Sequence, residues 1–287
     1  MGPNARRLAE LVRRFPAVRF RAIADSVVGV ESLSAAAVAA GVTIEVLVDL
    51  DVGMHRTGVA PGDEALGLVR RIAAAAGLVA GGLHAYDGHL HDADHARLEA
   101  AVESAFAPVW QLRDELRRER AALGPAGSAD DGWPLVVAGG TPTSAILARR
   151  GDVEVGAGTT VLWDAGQAVI SPDLDFLPAA ILLTRVVSRP AADRLCLDIG
   201  HKAVASEMPQ PRVRLLGLED GEIVMHSEEH MVVRTPRAND YPVGTVLYAV
   251  PRHVCPTVAL HAEVVVVQGG RTVDRWPVVA RTRRITI

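Results

Sequence analysis

Lysine is nearly absent: Lys202 is the only one among 287 residues, although arginine is abundant. Any chemistry that needs a side-chain amine therefore has a single candidate. Cysteine is scarce too. Cys196 and Cys255 are too few for a disulfide framework and suit a reducing, cytoplasmic setting. No apolar run is long enough to span a bilayer. Positive charge is not in excess, since 30 Lys and Arg face 34 Asp and Glu for a formal net charge of −4. That balance gives no electrostatic reason to expect nucleic acid or a membrane surface as a partner. The Gly-x-Gly-x-x-Gly dinucleotide fingerprint is missing, as are internal repeats and low-complexity tracts. The arginine-rich start resembles a transit peptide in composition. Its Leu8, Leu11, Val12 and Phe15 follow helical spacing, however, and predict an ordinary amphipathic helix.

What is present is a 49% hydrophobic chain, enough for one large domain or two medium ones. The first half alternates two patterns. Residues 18–24, 44–50, 78–86, 135–138 and 153–163 read as strands, and residues 30–40, 64–76, 94–123 and 144–150 as helices. Apolar strands separated by helices predict parallel β/α units. Residues 125–132 read as a small polar loop. Past Ser171-Pro172-Asp173 the character changes to short β-type runs at residues 180–187, 195–199, 213–216, 222–225, 230–233, 246–250, 258–267 and 272–279. Turns at Asp220-Gly221 and Gly269-Gly270 punctuate them. The expected division is a β/α domain over residues 1–170 and an all-β domain over residues 171–287. About five strands fall short of the eight in a closed (β/α)8 barrel. The fold class is therefore α/β plus all-β: an incomplete TIM-type barrel, or an open sheet, followed by a C-terminal β domain. An exposed sheet edge is expected at the strand over residues 18–24, where it is an association hazard.

Several polar clusters fall at strand ends, where β/α folds gather their chemistry. Asp51-Val52-Gly53-Met54-His55-Arg56-Thr57-Gly58-Val59 follows one strand, and Arg56 suits an anionic group. His84-Ala85-Tyr86-Asp87-Gly88-His89 follows the next, with His89 placed to act as a general base. Gly139-Gly140-Thr141-Pro142-Thr143-Ser144 follows a third. There Thr141 reads as an N-cap and Pro142 as the first helical residue, so that backbone N–H groups favour a phosphate. Gly156-Ala157-Gly158-Thr159-Thr160 is a second turn of that kind. Each cluster also fits a plain polar or capped loop. Near the C-terminus lies Pro251-Arg252-His253-Val254-Cys255-Pro256-Thr257. In an extended segment His253 and Cys255 share a face. An imidazole and a thiolate there suit zinc with open positions, since a closed structural site takes four ligands; the pair equally fits a half-buried strand. Asp198 to Ala203 and Ser227-Glu228-Glu229-His230 are candidate supports for such a metal.

In combination these segments resemble the D-threonine aldolase and D-serine dehydratase family, within the alanine-racemase-like enzymes that use pyridoxal phosphate (PLP). The matching stretches are Val48 to Val59, Tyr86-Asp87-Gly88-His89, Gly139-Gly140-Thr141-Pro142-Thr143, Asp198-Ile199-Gly200-His201-Lys202-Ala203, Ser227-Glu228-Glu229-His230 and Pro251 to Thr257. They stand in the family's order and cover nearly the whole chain. The resemblance implies a (β/α)8 barrel and a β domain. It implies PLP held by Arg56, Gly139, Gly140, Thr141, Gly158 and Thr159, with Tyr86 and His89 as catalytic groups. It also implies a divalent metal, zinc most simply, on His253 and Cys255 beside the cofactor. The substrate would be a small D-3-hydroxy amino acid and the enzyme a homodimer, with PLP as electron sink and the metal on the substrate hydroxyl.

Three departures accompany the resemblance. Nothing here matches the family's early strand with the Schiff-base lysine, and Lys202 aligns with a β-domain motif instead. The first recognisable strand looks like a later strand of the family barrel. Thr160 stands where family members often carry an aromatic residue. The expected function is thus a PLP- and metal-dependent lyase, of D-serine dehydratase or D-threonine aldolase type, inactive as these 287 residues alone. One alternative is a non-catalytic remnant that binds metal or phosphate. Another is a PLP-independent metal enzyme.

Overall fold

The computed structural model describes residues 2–123, 132–283, 285 and 287. Apart from Gly132, the polar loop expected over residues 125–132 falls outside the described residues. The chain divides into two compact units, one ending at Gly158 and the other beginning at Thr159.

The first unit opens with α1 (Pro3–Arg14) and then alternates β1 (Arg21–Ala24), α2 (Val27–Ala40), β2 (Ile44–Leu50), α3 (Asp63–Ala74), β3 (Leu78–Ala85), α4 (His95–Glu119), β4 (Leu135–Ala138), α5 (Ser144–Ala148) and β5 (Glu154–Val155). Local chemistry sets the helix ends. The Ser26 hydroxyl accepts from the Gly29 N–H at the start of α2, and Gly41, at φ 65°, stops it in the left-handed region. Asp94 caps α4 by accepting from the Ala96 and Arg97 N–H groups. The five strands are parallel, in the order β1-β2-β3-β4-β5. Ile44, Val46, Leu47, Val48 and Leu50 of β2 are all buried, as a parallel strand covered on both faces requires.

The sheet is open yet strongly curled. Four spacings of about 4.8 Å would hold the edge strands of a flat sheet roughly 19 Å apart. Here Arg21 Nη1 on β1 lies 3.6 Å from Glu154 Oε2 on β5, linking the two edges. This is an arc of a TIM-like barrel. As expected, β1 is an edge strand, and its Ile23 is 51% exposed.

The second unit contains α6 (Ala165–Ile170), β6 (Leu182–Ala191), β7 (Arg194–Leu197), β8 (Val213–Leu216), β9 (Glu222–His226), β10 (Met231–Arg234), β11 (Val246–Pro251), α7 (Val254–Leu260), β12 (Glu263–Gln268) and β13 (Arg271–Pro277). Strands β6 to β11 form an antiparallel sheet in the order β8-β11-β6-β7-β10-β9, and β12-β13 is a separate hairpin. The main sheet packs one face on Val186, Leu195, Leu197, Val213, Leu215, Met231, Val233 and Leu247.

Three sequence expectations change. Residues 153–163 are not one strand: β5 spans two residues, and a 3-10 turn follows at Thr159–Val161. Residues 258–267 divide between α7 and β12. Pro256 is tolerated in the first turn of α7 because its missing N–H would have no helical partner there. Residues 159–170 group with the second unit rather than with the β/α half. Asp164 explains why, since one oxygen caps α6 at the Gln167 N–H and the other accepts from the Val254 N–H.

The glycine pair in β3 is a backbone device. Val46 pairs with Ala80 and Leu47 with Gly82, so Gly81 is the extra residue of a bulge. Gly82 sits at φ 148°, and a Cβ there would fall on the Leu135 carbonyl oxygen and 2.6 Å from the Leu135 nitrogen. Gly82→Ala should therefore cost roughly 2–4 kcal/mol by forcing β3 and β4 apart. Denaturant unfolding checks this. The control Gly67→Ala, where a Cβ meets nothing within 4 Å, should not destabilise.

Candidate active site

The carboxyl ends of β2, β3 and β4 lie side by side, so their loops share one edge of the sheet. Parallel register places Asp49 opposite His84. His84 Nδ1 is 2.6 Å from Asp49 Oδ1, and the carboxylate is buried. Burial alone would raise the Asp49 pKa. Hydrogen bonds from His84 and Thr57, with the charges of His84 and Arg56, hold it below its ordinary range.

Asp51, just past the end of β2, organises its own loop. Its Oδ1 accepts from the Gly53 and His55 N–H groups at 2.9 and 3.0 Å, and Oδ2 meets His55 Nδ1 at 2.7 Å. The loop then returns to β2, where the Val59 N–H donates to the Asp49 carbonyl and the Asp51 N–H to the Val59 carbonyl. Gly58 makes that return possible. At φ 97° it packs so close that a Cβ would lie 2.6 Å from the Asp51 nitrogen.

This loop delivers Arg56 onto the β3 end. Its guanidinium stacks over the Tyr86 ring, 4.6 Å from the centroid. Glycines let the neighbouring backbone pack closely here. A Cβ on Gly88 would collide with the Tyr86 ring, one on Gly140 would sit 3.3 Å from it, and one on Gly53 would sit 3.0 Å from His89 Nε2. The fold therefore brings Arg56, Tyr86 and His89 together with Gly140. Gly158 closes the first unit with open space where a Cβ would stand, and Thr159 begins the second.

The Gly139-Gly140-Thr141 turn differs from its sequence reading. Helix α5 starts at Ser144, with Thr143 rather than Thr141 at the N-cap position. Thr141 is buried, and its carbonyl accepts from the Ser144 hydroxyl at 2.8 Å. The two glycine N–H groups expected to face a phosphate are already engaged. Gly139 donates to the Ala85 carbonyl at 2.9 Å, and Gly140 donates to Asp87 Oδ1 at 2.7 Å. Asp87 is the reason. It is 1% exposed at the end of β3, and burial pushes its carboxyl above the usual range. Its Oδ2 makes no hydrogen bond.

In the second unit, His253 is not on a strand beside Cys255. It is the N-cap of α7, and Cys255 lies in the first helical turn. The shared face expected of an extended segment is therefore lost, and the two residues stand two positions apart at one helix start. His253 Nδ1 meets Glu207 Oε1 at 2.5 Å, and Cys255 is an exposed free thiol. Among the described residues no group of three or more His, Cys, Asp or Glu is arranged to hold a metal. The expected supports have other partners. Asp198 accepts from the Thr184 hydroxyl and the Arg185 N–H, while Glu228 and Glu229 hold Lys202 at 2.9 and 2.8 Å. Hydrogen bonds from that carboxylate pair raise the Lys202 pKa.

Comparison with known proteins matches the same two units. Residues 4–131 fit the model of the alanine racemase N-terminal domain, and residues 179–267 that of the putative serine dehydratase domain. A D-threonine aldolase from an Arthrobacter species is 33% identical over 261 residues, covering 90% of this chain and 66% of that protein. A 3-hydroxy-D-aspartate aldolase from Paracoccus denitrificans is 28% identical over 267 residues, covering 90% of this chain and 65% of that protein. The chain belongs to the alanine-racemase-like family that contains D-threonine aldolase and D-serine dehydratase. The crystal structure of D-threonine aldolase from Filomicrobium marinum superposes with a TM-score of 0.84 at 29% identity, over 97% of this chain and 73% of that one. The chain spans just under two thirds of the length of these two curated aldolases. Among the described residues no helix is long and apolar enough to cross a membrane.

Sequence reasoning passed over Asp49, Asp87 and Glu207 as functional residues. The first is legible only from parallel register. The other two act through partners 53 and 46 residues away.

Two outcomes follow for this alanine-racemase-like strand edge. Asp87→Ala leaves the Gly140 N–H with only the 3.2 Å contact to Thr143 Oγ1 and should cost roughly 1–3 kcal/mol in chemical denaturation. Asp87→Asn, which keeps an acceptor, should be tolerated. Asp51 has its pKa lowered from 3.8 to about 2 by the His55 and Gly53 N–H groups and the His55 ring, against the opposing effect of burial. A depressed carboxylate stabilises the fold above its unfolded pKa and loses that contribution on acidification. The stability gap between wild type and Asp51→Asn should be full above pH 3.8 and close as pH falls toward about 2.

Proposed function

We propose that the chain is built as a PLP- and metal-dependent lyase of D-3-hydroxy amino acids, of the D-threonine aldolase or D-serine dehydratase type, whose Lys202 does not supply the Schiff-base amine. In this reading it works in a reducing cytoplasm, as a homodimer, on a small-molecule substrate. The observation that carries the reading is the 33% identity to a D-threonine aldolase across 90% of the chain.

The residues at the strand ends fit a planar, anionic cofactor. Arg56 on Tyr86 offers a cationic and aromatic platform, and glycines at 53, 88 and 140 let the backbone close up against Tyr86 and His89. The Gly139 and Gly140 N–H groups are spent within the protein, so in this unit Arg56 is the proposed phosphate contact. The donor set of His253 and Cys255 fits a borderline metal such as zinc. When bound, PLP supplies an electron sink at the substrate Cα, and the divalent ion a Lewis acid for its hydroxyl.

The chain's own groups do the rest. His89, whose imidazole packs against Gly53, is the proposed group for proton exchange with the substrate. Asp49 fixes the ring of His84 with Nδ1 toward the buried carboxylate, so that its other nitrogen is the one presented. Lys202 does not fit the role of a Schiff-base amine. Such an amine must shed its proton, whereas two carboxylates hold this one charged. The chain is therefore expected to bind the cofactor without a covalent bond to Lys202. The alternative is a non-catalytic binder of metal or phosphate.

Fluorescence titration of the 287-residue chain with PLP tests the assignment. Saturable binding is expected, weakened about tenfold, or ~1.4 kcal/mol, in Arg56→Ala and in Tyr86→Ala. Borohydride treatment should leave no PLP on the protein. Binding indifferent to Arg56 and Tyr86 would overturn the site. A reducible adduct abolished by Lys202→Ala would overturn the role denied to that lysine.

A further inference from the structure

We propose that Glu207 is a positioning residue for the metal-binding imidazole: it holds the His253 Nδ1–H and so leaves Nε2 as the metal donor. The proposal rests on the reading of His253 and Cys255 as a metal pair and adds a residue to it.

Hydrogen-bond chemistry decides the tautomer. An ionised carboxylate can only accept. With Glu207 Oε1 at 2.5 Å, His253 Nδ1 is the protonated nitrogen and donates. In the neutral ring the lone pair then sits on Nε2, the form a metal requires. A carboxylate behind a ligating imidazole fixes ring orientation and raises ligand basicity, and loss of such a partner commonly lowers metal affinity 10–100-fold. Only two protein donors stand at this helix start, so the orientation of one of them is a large part of the site.

The contact is built rather than accidental. Three tethers bind the loop carrying Glu207 to the segment carrying His253. The His261 ring donates from Nε2 to the Ala203 carbonyl at 2.8 Å. The Ala205 N–H donates to Thr257 Oγ1 at 3.1 Å, and that buried hydroxyl donates in turn to the His253 carbonyl at 2.7 Å. Beyond Glu207, the Arg252 N–H donates to the Arg212 carbonyl at 2.8 Å. Glu207 is thus bracketed on both sides by bonds to residues 252–261. Both side chains are nearly half exposed, at 42% for His253 and 47% for Glu207. A surface pair of this kind adds little to folding, so stability does not explain the arrangement.

The test is zinc affinity of the full chain, measured by competition with a chromophoric chelator, together with long-range proton–nitrogen spectra of the His253 ring. Wild type should bind zinc in a manner lost in His253→Ala and in Cys255→Ala. Glu207→Ala should weaken binding about 10–100-fold, and Glu207→Gln, which keeps an acceptor, should recover part of the loss. Glu263→Ala, which removes an exposed acid paired to Arg275, should change nothing. The metal-free spectra should show the proton on Nδ1 in wild type and on Nε2 in Glu207→Ala. Wild-type zinc affinity in Glu207→Ala, or an Nε2–H ring in wild type, would overturn the proposal while leaving the metal pair standing. Zinc binding that ignores His253→Ala would overturn the metal pair and the proposal with it.

Discussion

The hydrogen bond from the Gly140 N–H to Asp87 Oδ1 joins the end of β3 to the turn after β4, and much of the strand edge is arranged around it. It buries a carboxylate directly beyond Tyr86 and spends one backbone donor that the glycine turn might have given to a ligand. It also holds Gly140 against the Tyr86 ring, over which Arg56 stacks. Asp49 and Asp51 do the same work one strand earlier. Each takes a strand-end carboxylate and uses it on neighbouring N–H groups or an imidazole. Parallel sheets place such residues side by side, because every strand ends at the same edge. The architecture thus accounts for a dense polar cluster in a unit otherwise packed on Val, Leu and Ile.

Much of this was legible from the chain. The alternation of apolar strands and helices located β2 and β4 to the residue, because buried parallel strands leave no periodic ambiguity. Boundaries failed where capping overrode pattern. Val258 to Val267 is apolar enough to read as a strand, yet α7 reaches Leu260 with Pro256 in its first turn and the Thr257 hydroxyl bonded to the His253 carbonyl. The Thr141-Pro142 pair reads as a helix start, but the Ser144 hydroxyl turns back onto the Thr141 carbonyl and the helix begins later. The strand-end clusters could be named from their residues. Their partners could not, because Asp49 meets His84 only through register and Glu207 meets His253 across 46 residues.

The metal half and the cofactor half stand on different footings. His253 and Cys255 stand at the start of α7 rather than on a strand, and the Glu207 contact gives the imidazole a defined direction. Lys202 lies between Glu228 and Glu229, a setting that holds an ammonium charged. Family membership, the strand-end platform and the helix-start donors are mutually consistent, whereas the amine chemistry of the family finds no site at Lys202.

The most direct measurement is a diffraction structure of the chain soaked with PLP and zinc. The account predicts a cofactor ring at the carboxyl ends of β2, β3 and β4 against Arg56 and Tyr86, without a bond to Lys202, and zinc on His253 Nε2 and the Cys255 sulfur. Cofactor density joined to Lys202, or a ring bound away from those strand ends, would contradict it.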